Sequence, residues 1–266
     1  MRPDLRVLED LIRQVSKEEL MPRFLESAAT IKADGSLVTE ADLAVQARLT
    51  TELSRLHPEA LLLGEEMDID RQTALAGQGG IDVWCLDPLD GTNNFASGFP
   101  CFCISLALLR EGQPQLGIVY DPTRDECFSA QKGVGATLNG RPLLSRTVKT
   151  PLRRSIAMID FKRLPKALAR GMAERPPVSS WRYLGAGALE WCWLAAGRFD
   201  AYLHGGQKLW DFAAGALILE ETGGCLETLD GGVLFEPGVL AQSVVAAPDP
   251  EFFALWRTAI AERFNG

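Results

Sequence analysis

Apolar and polar positions along the chain fall into two rhythms. Between residues 4 and 29, apolar side chains recur at Leu5, Leu8, Leu11, Ile12 and Val15, then at Leu20, Phe24 and Leu25. This is helical spacing, and Pro22 predicts a break or kink because proline removes a donor and crowds the preceding turn. Residues 32–36 read as a turn. Thr39 predicts a helix cap, with Asp42 three positions on in a box-like arrangement. Leu43, Val45, Ala47, Leu49 and Leu53 follow, and the helix should stop before Pro58. Residues 60–63 predict a short buried strand ending in Gly64-Glu65-Glu66. Residues 67–80, polar and Gly-rich, read as a mobile loop.

The rhythm then changes. An apolar run at residues 83–86 ends at Asp87, and Pro88, which has no N–H to donate, predicts the end of strand pairing. Residues 102–109, 117–120, 127–130 and 136–138 read as an antiparallel meander, punctuated by Glu111-Gly112, Asp121-Pro122 and Asn139-Gly140. The second half alternates. Strands are predicted at 155–159, 182–184, 200–203 and 244–246, and helices at 165–173, 188–196, 211–222 and 250–264. Gly223-Gly224 stops the third of these helices. A soft boundary at 140–154 separates the halves of a single domain over 1–266. These patterns alone support a mixed α and β chain with a large antiparallel component.

Composition narrows the picture. Of 266 residues, 47% are hydrophobic and 23% charged, which suits an ordinary globular chain with a sizeable core. A net charge of −8 argues against a nucleic-acid partner, which needs a basic face. It leaves room for a phosphorylated substrate if bound cations reverse the local sign. The N-terminus lacks the apolar core of a signal peptide, and the run at 101–109 is too short to span a bilayer, so no membrane role is expected. The 6 cysteines include no C-x-x-C pair and there are only 2 histidines, His57 and His204. That pattern argues against zinc and reads as buried thiols in a reducing cytoplasm.

The chemistry gathers in residues 81–95, Ile-Asp-Val-Trp-Cys-Leu-Asp-Pro-Leu-Asp-Gly-Thr-Asn-Asn-Phe. A buried strand delivers Asp87 and Asp90 to its C-terminal end, and Gly91-Thr92 leaves backbone N–H groups open to an anion. Acidic oxygens beside free amides suit a hard divalent cation held together with a phosphate. Residues 87–95 match the motif Asp-Pro-(Ile/Leu)-Asp-Gly-Thr-x-Asn-Phe throughout. Trp210-Asp211-Phe212-Ala213-Ala214-Gly215 matches Trp-Asp-x-Ala-(Ala/Gly)-Gly, and Gly64-Glu65-Glu66 supplies a third element. In this order and at roughly this spacing, the chain resembles the inositol monophosphatase family of lithium-sensitive, magnesium-dependent phosphatases, from about residue 5 to 260.

The resemblance implies a layered α/β/α/β/α sandwich of the inositol monophosphatase and fructose-1,6-bisphosphatase type, in the α+β class, and a homodimer. It implies two to three Mg2+ ions, with Mn2+ a possible substitute. Glu65, Asp87 and the Leu89 carbonyl would hold the first ion. Asp87 would bridge to a second that Asp90 and Asp211 complete, and a third, weaker ion would also lean on Glu65. Asp42, Glu65 and Thr92 take the catalytic roles, with Thr92 and Asp42 orienting a water activated by metal. No serine or cysteine lies in a nucleophile motif and no histidine lies in any of the three motifs, so metal-activated water is the economical nucleophile. Substrate contacts fall to Asp90, Gly91, Thr92, Gly185, Ala186, His204 and Asp211. Plainer readings stand beside these: a helix cap for Asp42 and Asp211, a solvated charge for Glu66 and for Lys32, which sits where a family lysine approaches the metal loop.

The substrate side departs from the family pattern. Where relatives carry Gly-(Thr/Ser)-Ala-Ala, this chain has Gly185-Ala186-Gly187-Ala188 and lacks the hydroxyl. Where inositol-preferring members place a Glu, seven residues before the second-motif Asp, it has His204. Losing both should weaken polyol recognition. Inositol 1-phosphate and related sugar or polyol phosphates therefore compete with histidinol phosphate and 3′(2′),5′-bisphosphate nucleotides. Two further readings are a haloacid dehalogenase-like phosphatase, whose Asp-x-Asp-Gly-Thr spacing Asp87 and Asp90 do not match, and a non-catalytic metal-binding regulator.

Overall fold

Helix α1 (Leu5–Val15) starts at Asp4, whose side chain accepts the Arg6 N–H at 2.9 Å. A wide turn over Ser16–Leu20 and a tight one over Met21–Arg23 follow, so the helical pattern breaks where Pro22 predicts. The computed structural model describes residues 3–26, 29–31 and 37–264. Lys32 and the turn expected at 32–36 lie outside them. Strands β1 (Ala29–Ile31) and β2 (Leu37–Thr39) form a small antiparallel pair. Helix α2 (Glu40–Leu56) opens with the expected capping box of Thr39 and Asp42.

Strand β3 (Leu61–Gly64) leads into helix α3 (Ile69–Ala76), which stands where a mobile loop was expected. Asp68 caps it by accepting the Asp70 N–H at 2.9 Å, and buried Gln72 and Ala76 face inward one turn apart. The Gln72 amide donates to the Gly64 and Glu65 carbonyls at 3.0 and 2.9 Å, so this helix braces the Gly-Glu-Glu element. Strand β4 (Asp82–Asp90) does not end at Pro88. Its pairing with the next strand resumes at Asp90 opposite Cys103, and a register shift between Asp87 and Asp90 absorbs the missing N–H.

After the short helix α4 (Thr92–Ser97) come β5 (Cys103–Arg110), β6 (Gln113–Asp121), β7 (Glu126–Gln131), β8 (Gly135–Leu138) and β9 (Arg141–Leu143). The last falls inside the boundary expected at 140–154. These strands and β3–β4 make a seven-stranded sheet in chain order, antiparallel except for the β3–β4 pair. The second half supplies β10 (Ile156–Asp160), helix α5 (Lys166–Glu174), β11 (Ser180–Arg182), helix α6 (Gly187–Ala195), β12 (Ala201–Lys208), helix α7 (Leu209–Glu221), β13 (Cys225–Glu227), β14 (Ala241–Ala247) and helix α8 (Pro250–Phe264). Its five-stranded sheet has the order β11-β10-β12-β14-β13. Strand β11 lies two residues earlier than expected. Strand β12 runs past residue 203 through a register shift between His204 and Gln207, and β13 was not foreseen.

Five layers result. Helices α1 and α2 bury Leu8, Ile12, Val45 and Leu49 against Trp84, Leu86 and Leu106 on one face of the large sheet. Helices α6 and α7 fill the space between the sheets, where Cys85, Val119 and Phe128 meet Met158, Tyr202 and Val244 in one core. Helices α5 and α8 cover the outer face of the small sheet through Leu168, Phe252 and Trp256. Helix α7, sandwiched between sheets, is apolar on nearly every side, which is what burial on both faces requires. Its small residues let backbone approach backbone: a Cβ at Gly117 on β6 would lie 2.9 Å from Ala214 Cα. All six cysteines are unpaired. No helix among the described residues is long and apolar enough to cross a membrane.

Candidate active site

The site lies where the C-terminal end of β4 meets the N-terminal turn of α7. Ser105 on β5 donates to the Trp210 carbonyl at 3.0 Å, which fixes the start of α7 against the large sheet. Gly91 turns the chain out of β4 with φ +93°, and a Cβ there would come within 2.8 Å of the Cys101 carbonyl oxygen. An L side chain is strained in that region of backbone space, so the motif glycine is a steric necessity.

A cavity of about 160 Å³ opens here. Glu65, Asp87, Leu89, Asp90 and Asp211 line it, as do Gly91, Thr92, Gly185 and His204. Asp42 stands behind Thr92, and Ala186, fully buried at the start of α6, does not reach the cavity wall. Sequence reading missed Arg163, Tyr183, Gly187, Glu190 and Gln207, which also line it. Glu190 alone carried a signal, a charge inside an otherwise apolar helix.

One oxygen of each aspartate is tethered by a backbone N–H: Asp87 Oδ1 by Leu89 at 3.0 Å, Asp90 Oδ2 by Ala188 at 2.7 Å and Asp211 Oδ2 by Lys208 at 3.0 Å. Asp42 is fully buried; its Oδ2 accepts the Thr39 N–H at 2.7 Å and the Thr39 hydroxyl at 2.6 Å. Thr92 Oγ1 lies 3.0 Å from the Leu89 carbonyl and 3.3 Å from Asp42 Oδ1.

The halves of the chain are joined at this point. Besides the Ala188–Asp90 bond, Asn94 Nδ2 donates to the Leu184 carbonyl at 2.7 Å. Glu190 accepts the N–H groups of Leu184 and Gly185 at 2.9 and 3.2 Å.

Burial holds the acids toward their neutral forms. Burial first, then the charges of Glu65, Asp90 and Asp211, push the Asp87 carboxyl well above the usual range. Burial raises Asp90 to about 7 against the pull of the Ala188 N–H, and burial with the charge of Asp90 raises Asp211 to about 7. Glu190 is likewise raised to about 7 by burial. Among the described residues, no three His, Cys, Asp or Glu side chains close tightly enough to enclose a metal ion. Acids that repel one another spread or retain protons until positive charge enters. Buried Asp87 and Asp90, with half-buried Asp211, Glu65 and a carbonyl, form an all-oxygen donor set, which fits magnesium or manganese.

His204 is pinned on the wall. Its Nδ1 accepts the Gly206 N–H at 3.1 Å, which leaves the proton on Nε2, 3.1 Å from Asp160 Oδ2 and off the line of a well-formed hydrogen bond. Burial lowers its pKa against the opposing effect of Asp160, so the ring is neutral.

The fold and site define a class, the α+β layered sandwich of the inositol monophosphatase and fructose-1,6-bisphosphatase type. The model of the inositol monophosphatase family matches residues 2–263. An inositol-1-monophosphatase of Synechocystis is 34% identical over 86% of this chain and 83% of its own. A Nus factor SuhB of Haemophilus influenzae is 33% identical over 89% of this chain and 88% of its own. The solved structure of an IMPase/NADP phosphatase complexed with Mg2+ and phosphate superposes with a TM-score of 0.80 at 26% identity, covering 97% of this chain and 95% of that one. The chain belongs to the inositol monophosphatase family and is a phosphoric monoester hydrolase.

Proposed function

We propose that the protein hydrolyses a small phosphate monoester with Mg2+, or Mn2+ in its place, held by Glu65, Asp87, the Leu89 carbonyl, Asp90 and Asp211. The observation that carries this is the convergence of acids from β4 and α7 on one cavity, Asp87 and Asp90 buried and Asp211 half-buried. When bound, the cations lower the pKa of water and neutralise the charge of the ester.

The chain's own residues do the rest. Thr92 has one hydroxyl proton and two acceptors in reach. Given to Asp42 Oδ1, that proton does not occupy the Leu89 carbonyl and lets Thr92 Oγ1 accept from the attacking water. The two bonds from Thr39 occupy Asp42 Oδ2 and so aim Oδ1 at Thr92. The N–H groups of Gly91 and Thr92 hold the phosphate. Gly185 and His204 border the leaving group, His204 as a neutral wall with Nδ1 taken by the Gly206 N–H and Nε2 beside Asp160. Ala186 acts through the backbone turn ahead of α6.

The cytoplasmic location, homodimer and lithium sensitivity expected from the resemblance belong to this proposal. The substrate is a phosphorylated metabolite, inositol 1-phosphate or a related sugar or polyol phosphate, with histidinol phosphate and bisphosphate nucleotides as alternatives. The Nus factor name of one relative favours a second, non-catalytic role. A phosphate-release screen over a metabolite panel decides between them. Magnesium-dependent release, inhibited by lithium and reduced at least about 10²-fold in Asp90→Asn, is expected. Absence of release from every ester would leave the non-catalytic reading.

A further inference from the structure

A larger cavity of about 730 Å³ lies beside the catalytic one, between the small sheet, the loop ahead of α5 and helix α8. The two share Arg163, and they take consecutive residues of β12: His204 lines the catalytic cavity and Gly205 the larger one. Gly205 has no alternative, since a Cβ would overlap the Arg163 carbonyl oxygen. The catalytic cavity is smaller than the roughly 300–1,000 Å³ usual for a whole ligand, and the second lies within that range.

The second cavity is apolar along Leu164, Leu229, Ile260 and Phe264, with arginines on two sides. Arg163 is half exposed. Its Nη1 donates to the Gly206 carbonyl at 3.0 Å and its Nε lies 3.6 Å from Asp160, while Nη2 has no hydrogen-bond partner among the described residues. Arg257 is held by Glu227 and reaches the Leu229 carbonyl at 3.3 Å, and its Nη2 is likewise unpartnered there. The opposing charge is Asp230, which already accepts from Thr228. Arg163, on the rim common to the two cavities, is where a second anion would be held.

We propose that this cavity is the far end of the substrate site. The leaving group crosses the rim at Arg163, places an apolar body along Ile260 and Phe264, and gives a second anionic group to the free guanidinium edge. The inference rests on the phosphatase reading and deepens it: the preferred ester has an extended, anionic leaving group rather than a bare polyol.

Three esters separate charge from size: glycerol 2-phosphate, biphenyl-4-yl phosphate and its 4′-carboxylate. The native protein should favour the carboxylated over the plain biphenylyl ester in kcat/KM by about tenfold, the scale of one charge-assisted hydrogen bond. Arg163→Gln should bring that ratio near one through KM. Ala261→Trp, on the exposed wall of α8, should lower the ratio of biphenylyl to glycerol ester about fivefold or more by filling the cavity. Biphenyl-4-carboxylate alone, titrated by calorimetry, should bind about tenfold more weakly to Arg163→Gln than to the native protein. Hydrolysis with both ratios unmoved, or equal carboxylate affinity in the two proteins, overturns the inference and leaves the phosphatase reading intact. No hydrolysis of any ester, with the carboxylate still bound through Arg163, overturns the phosphatase reading alone.

Discussion

Thr92 and Asp42 form a unit whose geometry has a kinetic consequence. Asp42 sits fully buried, held by two bonds from Thr39, and its remaining oxygen faces a hydroxyl that can turn either to it or to Leu89. Thr92→Val keeps the shape and removes the hydroxyl, so kcat should fall about 10²-fold, as for loss of a positioned proton acceptor. Thr92→Ser should recover most of it. A Val variant with native kcat would remove Thr92 from the reaction. At this scale the sequence was informative wherever chemistry is local. Residues 87–95 and 210–215 are contiguous, and their glycines and small residues are explained by Cys101 against Gly91 and Ala214 against Gly117. Arg163 was not legible, because it reaches the cavity from the loop after β10, more than 70 positions from Asp90, and only tertiary folding makes them neighbours. Ala186 illustrates the converse: expected at the substrate from its motif position, its side chain is buried beneath the wall.

Among the elements, β4 and β5 carry both the site and a pH-dependent tie at their far end. Arg110 faces Asp82 across the strand pair and donates to both carboxylate oxygens at 2.7 Å. This hydrogen bond holds the Asp82 carboxyl below the usual range against the opposing effect of burial, with His57 adding a smaller pull. A depressed folded pKa gives stability that is complete above the unfolded value of 3.8 and is lost as pH falls through the folded value. Asp82→Asn should therefore melt below the native protein at pH 7, by at most about 2–4 °C for so exposed a pair. The two curves should converge as pH falls through the lowered folded value, below 3.8; a difference that persists once Asp82 is protonated would assign the effect to packing. Elements were readable where the pattern was long, as in α2 and α8, and misread where a single tertiary contact decides. Helix α3 exists because Gln72 braces the Gly64 and Glu65 carbonyls. Strand β4 passes Pro88 because a register shift removes the need for its N–H. The layer that α7 occupies could not be read from periodicity, since a helix apolar on all sides has no stripe to orient it.

At the scale of the molecule, the two sheets share one core between them, and the site sits where both halves contribute. We propose that the halves on either side of 140–154 unfold together and that the acids make this unit less stable without cations. Raising Mg2+ to about 100 times its dissociation constant should add roughly 2.7 kcal/mol, or about 5–10 °C in Tm for a chain of this size. A single transition, followed by calorimetry, should move as one; two transitions of which only one responds would divide the molecule. The layered order itself came from resemblance to a family, because strand and helix spacing specify elements rather than their stacking. The central claim is that Glu65, Asp87, Asp90, Asp211 and the Leu89 carbonyl gather divalent ions. Anomalous diffraction from crystals grown in saturating Mn2+ tests it most directly. At least two peaks inside the acid-lined cavity, bridged by Asp87, are expected, and a cavity without a peak, its carboxylates turned away from one another, would contradict it.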